Sequence, residues 1–162
     1  MKPITLLFLL SLALLQDAPA QEATNTERSI TLEELQTVSK GLTNGTIKRV
    51  EILYFPTNIL TYTRITPAWL QINFYYKLVI ADIPTSQKIQ SLAKVIPKIR
   101  LTKSSWKSEL RWGCLFYGSR ARPELTIFLD RTGTNGVMGS QSFMFDDQLH
   151  RWLISNVADC FQ

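Results

Sequence analysis

The fold is decided by residues 110–145, LRWGCLFYGSRARPELTIFLDRTGTNGVMGSQSFMF, where apolar side chains alternate in short runs that turn residues separate. Leu110 to Tyr117 places Trp112, Cys114 and Phe116 on one face, which is the period-two pattern of a β-strand. This run predicts a central strand of a sheet.

Two further strands follow the first. Glu124 to Asp130 and Ser140 to Phe145 repeat the alternation. The segments between the strands, Gly118 to Pro123 and Thr132 to Gly136, are short and rich in turn residues. The sequence therefore predicts an antiparallel meander of three strands.

The N-terminal half mixes helical and strand patterns in the order α-β-β-α-β-α. The predicted helices are a first one beginning at Thr31, with Gly41 just past its end, then 67–73 and 84–96; the predicted strands are 47–55, 59–65 and 75–83. A last helix follows the meander, with Leu149, Trp152 and Leu153 as its buried stripe. We expect a single α+β domain over 31–162, with a mainly antiparallel sheet, a C-terminal three-strand meander and helices packed on one face.

The first twenty residues predict export. Met1 to Pro3 is a short positive start, Ile4 to Leu15 is an apolar run, and Ala18-Pro19-Ala20 is a small-residue cleavage site. We expect residues 1–20 to be a signal peptide and 21–30 a flexible polar lead. We expect the protein to be exported to a bacterial periplasm or, alternatively, through a eukaryotic secretory route. No later apolar run predicts a transmembrane segment.

The two cysteines, Cys114 and Cys160, are predicted to form a disulfide. An even pair of cysteines in an oxidising compartment most simply forms one bond. It would close a loop of roughly 45 residues and stabilise the fold by about 3–4 kcal/mol. The alternative is two free thiols, with Cys114 as a small buried apolar residue.

Basic residues are concentrated in one segment of the chain, although the net charge is only +5. Between Lys88 and Arg122 nine basic residues stand against the single acid Glu109: Lys88, Lys94, Lys98, Arg100, Lys103, Lys107, Arg111, Arg120 and Arg122. Such asymmetry indicates a face for a protein or an anionic envelope partner, whereas export argues against nucleic acid. The alternative is an ordinary solvated basic rim.

Five residues are candidate binding residues. Arg111 stands beside Trp112, and Arg120 and Arg122 share a turn; guanidinium groups in such places are suited to carboxylates or phosphates. Asp130 and Arg131 open the polar turn DRTGTNG, a pattern found in metal loops and at carboxylate active sites.

The turn at Asp130 also has a simpler interpretation, as a hairpin loop in which the Asp130 carboxylate binds turn amides. It departs from a calcium loop because Thr132 holds the third position and Arg131 is embedded in it. His150 is the only histidine, so no His-rich zinc site can form, and we expect it to be structural. The sequence indicates no metal, no cofactor and no catalytic set.

Two functions remain open. The favoured one is an exported, non-catalytic domain that binds a protein or an anionic envelope partner, as an inhibitor, an immunity protein or an accessory module does. The alternative is a small exported hydrolase or metal-dependent enzyme centred on Asp130, with His150 as its base. That enzyme requires the two side chains to meet in one cleft.

Overall fold

A computed structural model describes residues 32–161 except 82, 84, 106 and 108. The predicted signal peptide, the polar lead and the capping residue Thr31 lie outside the described residues. None of the helices in the described part of the chain has the length and hydropathy of a membrane span.

The described chain contains four α-helices and seven strands. Two of these strands, Leu101–Lys103 and Asn135–Met138, were not predicted, and one predicted strand does not form. The helices are α1 (Leu32–Asn44), α2 (Pro67–Ile72), α3 (Gln87–Val95) and α4 (Gln148–Asn156), with 3-10 turns at Ile96–Lys98 and Ala158–Phe161. The strands are β1 (Arg49–Tyr54), β2 (Tyr76–Ile80), β3 (Leu101–Lys103), β4 (Leu110–Tyr117), β5 (Leu125–Asp130), β6 (Asn135–Met138) and β7 (Gln141–Phe145).

The seven strands form one sheet in the order β2-β1-β4-β5-β6-β7-β3, and every neighbouring pair is antiparallel. The predicted α+β class with a mainly antiparallel sheet is therefore confirmed. The meander is longer than predicted, because Asn135 and Gly136 of the predicted loop already belong to β6. Gly136 pairs with Leu129 and Phe143 there, and a Cβ at Gly136 would collide with the Phe128 carbonyl oxygen.

The larger core lies between the sheet and the helices α1, α3 and α4. The predicted face of β4 points into it, with Trp112, Cys114 and Phe116 at most 3% exposed. The predicted stripe of α4 is buried in the same core. Truncating a fully buried aromatic residue such as Phe116 typically costs about 3–5 kcal/mol, so this core dominates stability.

A smaller core covers the opposite face of the sheet, which corrects the expectation that the helices pack on one face. Leu70 of α2 and Ile65 before it are fully buried against Leu53, Leu115 and Phe128. Antiparallel sheets commonly leave one face in water, but here apolar residues on both faces of β4 require a second cover.

The segment 59–65 is not a strand, so that prediction is wrong. Its apolar residues do not share a side: Ile65 is fully buried, whereas Leu60 and Tyr62 are among the most exposed large side chains of the described chain. Its ends are held by single bonds instead of a ladder: the Ile59 carbonyl accepts from the Arg111 side chain, and the Ile65 carbonyl accepts the Leu110 amide. The predicted strand 75–83 is the shorter β2, which is a half-exposed edge strand rather than a buried one.

The helix ends follow their capping residues. Thr66 caps α2 by accepting the amide of Trp69 at 3.2 Å, with Pro67 at the first position. Ser86 caps α3 through the amide of Ile89. In α1, Gly41 lies within the helix, and Gly45 with φ +75° follows the last residue, so the predicted end at Gly41 is one turn early.

Both cysteines are free, so the predicted disulfide is wrong. Cys114 is 1% exposed in the centre of the sheet, where it pairs with Ile52 and Ile127. The last turn of the chain directs Phe161 inward and leaves Cys160 exposed, with the Lys88 Nζ 3.3 Å from its sulfur. Burial raises the pKa of the Cys114 thiol to about 12, so it remains a protonated, apolar core residue.

Candidate functional site

Three of the five predicted binding residues line one cleft, which we call the Asp130 cleft. Its volume is about 430 Å³, and its lining residues are Thr57, Lys107, Glu109, Arg111, Asp130, Arg131, Thr132 and Asn135. The pairing of β4 with β5 brings them together, since Leu110 is the partner of Asp130 in the register. The sequence singles out Arg111, Asp130 and Arg131 by residue type, but it does not predict that they line the same cleft.

The Asp130 carboxylate is fully engaged by its own turn. Its Oδ1 accepts the Thr132 amide at 3.1 Å and the Thr132 hydroxyl at 2.9 Å, while its Oδ2 accepts the Asn135 side-chain amide at 3.1 Å. The residue is 7% exposed. These contacts are those of an Asx turn, as the hairpin interpretation predicts, and they leave little of the carboxylate for a metal or a substrate.

His150 does not share the cleft with Asp130. Its ring lies 6.4 Å from that of Trp112, on the helix side of the sheet, whereas Asp130 shares the face of Phe128. It packs on Gly133, whose φ of +73° and lack of a side chain make room for the ring. Burial lowers the pKa of His150, with the charges of Asp130 and Asp147 acting against that shift.

The Arg111 guanidinium is buried and holds the fold together. A β-bulge between Leu110 and Trp112 turns it toward segment 56–59. There it donates to the carbonyls of Pro56 at 2.9 Å and Ile59 at 3.3 Å, and it pairs with Glu109 at 2.9 Å. The exposed cations of the Asp130 cleft are therefore Lys107 and Arg131.

Arg120 and Arg122 lie elsewhere, exposed on the turn between β4 and β5. They line a cleft of about 470 Å³ together with two acids, Glu34 and Glu124. The Glu124 side chain lies over Gly118 within the same turn. The charge of this cleft is thus locally balanced, and the two arginines are not joined to the other predicted residues.

A third cleft carries cations and no acid among its lining residues; we call it the basic cleft. It has a volume of about 490 Å³ and is lined by Leu32, Pro97, Lys98, Ile99, Arg100, Leu101, Lys103 and Phe143. Lys98, Arg100 and Lys103 are exposed around an apolar floor. This combination is suited to an anionic ligand that also carries an apolar group.

The backbone under the three cations is fixed at several points. Pro97 ends α3 in a 3-10 turn, and Ile99 anchors the chain at 1% exposure. The Asp146 amide donates to the Arg100 carbonyl at 3.1 Å, and the Gln148 side chain donates to the Lys98 carbonyl at 3.2 Å. The cations therefore extend from a held segment rather than from a loose loop.

The sequence places Lys98, Arg100 and Lys103 in the basic region, but it predicts neither a helix nor a strand at these residues. A signal was present, because Ile99 and Leu101 alternate with Lys98 and Arg100 at the period of a strand. This alternation was too short to distinguish a strand from a loop, since β3 has only three residues.

The described residues contain no group of three or more His, Cys, Asp or Glu side chains placed to hold a metal ion. Comparison of the chain with protein-family models, with curated proteins and with solved structures found no match.

Proposed function

We propose that the protein is an exported, non-catalytic binding module that holds an anionic partner, a protein or an envelope component, through the basic cleft. One observation carries the proposal: Lys98, Arg100 and Lys103 converge on one cleft with no acid among its lining residues. Opposite charge on a partner would be attracted there without displacing an existing ion pair.

The contacts of the predicted chemical residues support binding rather than catalysis. A general acid or base needs a carboxylate or imidazole that reaches a substrate. Asp130 is bonded through both oxygens to its own turn, and His150 packs on the opposite face of the sheet. No contact among the described residues favours the alternative of an enzyme centred on Asp130.

Exposed cations attract a partner mainly by long-range electrostatics, so binding should depend on salt. The screening length is about 8 Å at physiological ionic strength, and interactions between exposed charges weaken beyond it. Part of the affinity should nevertheless remain at that salt, because the apolar floor adds contacts that salt does not screen.

The test compares two charge reversals of equal size. We expect Lys98→Glu with Lys103→Glu to abolish retention of the purified protein on immobilised poly-glutamate at low salt. The matched control, Lys40→Glu with Lys48→Glu, changes the net charge equally on another part of the surface and should retain most binding. Equal losses in the two variants would show that only net charge matters and would overturn the proposal.

The predicted residues Arg120 and Arg122 provide a second arm of the same experiment. Reversing both should have a smaller effect than reversing Lys98 and Lys103, because Glu34 and Glu124 line the cleft of the two arginines. A larger effect would move the binding face to the turn between β4 and β5.

A further inference from the structure

We infer that the partner of the basic cleft is an extended acidic peptide segment, which adds to the open edge of β3 as an eighth strand of the sheet. The inference rests on the proposed function, since it names the partner of the same cleft. Its first support is topological: β3 is the last strand in the sheet order, with β7 on one side and no described strand on the other.

The backbone of β3 presents its free groups on that open side. Arg100 accepts the Asp146 amide and Ser104 donates to the Ser142 carbonyl, so residues 100, 102 and 104 direct their backbone groups toward β7. In an antiparallel pair the intervening residues point the other way. The N–H and C=O groups of Leu101 and Lys103 therefore face outward, at the spacing that an added strand requires.

The side chains around this edge define the peptide. Leu32, 57% exposed at the start of α1, and Leu101, half-buried on β3, form an apolar floor with Phe143. Lys98, Arg100 and Lys103 surround that floor. Because side chains of a strand alternate between two sides, Leu101 and Lys103 share one side of the edge and Arg100 lies on the other. A peptide with acidic and apolar residues in alternation can place its acidic side chains beside Arg100 and its apolar side chains beside Leu101.

The opposite edge of the sheet does not offer the same chemistry. The Lys77 ammonium on β2 already binds the Glu51 carboxylate at 2.9 Å, and Val79 on the same strand is an exposed apolar residue. An acidic strand would meet no unpaired cation on β2 among the described residues. The inference therefore concerns β3 alone.

A peptide is favoured over an anionic membrane surface by shape. A membrane presents a plane, which three cations can contact without any cavity or strand edge. Here the cations border a concave cleft beside outward-facing backbone groups. A concave site with directional donors and acceptors is matched by an extended chain rather than by a plane.

The experiment uses a synthetic peptide of alternating Glu and Val residues as the probe, with binding measured by fluorescence anisotropy. Two modified peptides keep the charge of this parent peptide. One is methylated at the backbone nitrogens of its Glu residues, and the other at the backbone nitrogens of its Val residues. Only one of these sets can face β3, so one peptide should lose at least about tenfold in affinity and the other should bind nearly as the parent. Slower hydrogen exchange at the Leu101 and Lys103 amides should accompany binding.

The outcomes separate this inference from the proposed function. If both methylated peptides bind as the parent does while Lys98→Glu with Lys103→Glu still abolishes binding, the strand addition is overturned and the anionic site stands. If vesicles of anionic phospholipid bind with the same dependence on Lys98 and Lys103 and the peptide does not, the partner is a membrane and the inference is overturned. If neither probe responds to the reversal, both proposals fail.

Discussion

The two open edges of the sheet, β2 and β3, differ in length, charge and surroundings. β2 has five residues, and its lysine is paired with Glu51. Four exposed large apolar residues lie on it or shortly before it in sequence: Ile72, Phe74, Tyr75 and Val79. β3 has three residues and lies beside three exposed cations.

This difference shows that the two edge strands of one sheet can differ in chemical character, one apolar and the other basic. A short edge with lysines resists pairing with a neutral strand and selects an acidic one. A longer apolar edge has no such selection and depends on nearby segments to limit its exposure.

The largest effect should follow from Arg111→Ala, which releases segment 56–59 beyond the end of β1. The substitution removes the Arg111 donor from the carbonyls of Pro56 and Ile59 and from the Glu109 carboxylate. We expect the free energy of unfolding to fall by about 2–3 kcal/mol, the usual cost of losing hydrogen bonds to a buried charged group. Urea denaturation measures it.

Arg131→Ala is the control for Arg111→Ala, because Arg131 lines the same cleft but is exposed. Its unfolding free energy should stay within about 0.5 kcal/mol of the unmodified protein. Hydrogen exchange in Arg111→Ala should rise in segment 56–66 and stay unchanged at β3. A uniform rise would contradict the assignment of the Arg111 contacts to segment 56–59.

A smaller effect should follow from acidification, through His150 on α4. Burial lowers the pKa of His150 in the folded state, so the unfolded chain takes up the proton first. Stability from neutral His150 is complete above its ordinary pKa of about 6.5 and is lost as the pH falls through the folded-state value. His150 lies on α4, whose Gln148 holds the Lys98 carbonyl.

His150→Gln removes this titration and should flatten the dependence of stability on pH across that range. The comparison is made by thermal unfolding of both proteins between neutral and mildly acidic pH. If the two proteins keep parallel pH profiles, His150 is not the group responsible.

The smallest effect on stability should come from placing a lysine on the apolar edge strand β2 and a valine on the basic edge strand β3. Val79→Lys and Lys103→Val alter exposed positions, so each should change the unfolding free energy by no more than about 0.5 kcal/mol. Self-association should respond instead. Light scattering at high concentration should fall for Val79→Lys and rise for Lys103→Val, and the reverse order would contradict the contrast between the edges.

The sequence predicted the elements in which side-chain period and burial agree. β4 and α4 were found because one set of their apolar residues, such as Trp112 and Leu149, recurs at the period of its element and faces the larger core. Segment 59–65 was misassigned because Leu60 and Tyr62 are apolar yet exposed. β6 was missed because Asn135 and Gly136 are residues that also make turns.

The candidate sites were predictable only in part, because they depend on partners distant in sequence. Arg111, Asp130 and Arg131 were chosen by residue type, and the β4–β5 register then brought them together. That Arg111 would bind the carbonyls of Pro56 and Ile59 has no local signal. The disulfide was wrong because Phe161, and not Cys160, takes the inward position in the last turn, while Cys114 is buried in the sheet.

The difference between the two thiols makes the native protein a ready substrate for single-site labelling. A maleimide reagent should modify the exposed Cys160 and leave the buried Cys114 untouched until the chain unfolds. The neighbouring Phe161 stacks on Tyr76 of β2, so the dye would report on that edge. One unmodified protein thus offers a spectroscopic reporter on the apolar edge while the cations beside β3 stay free for a ligand.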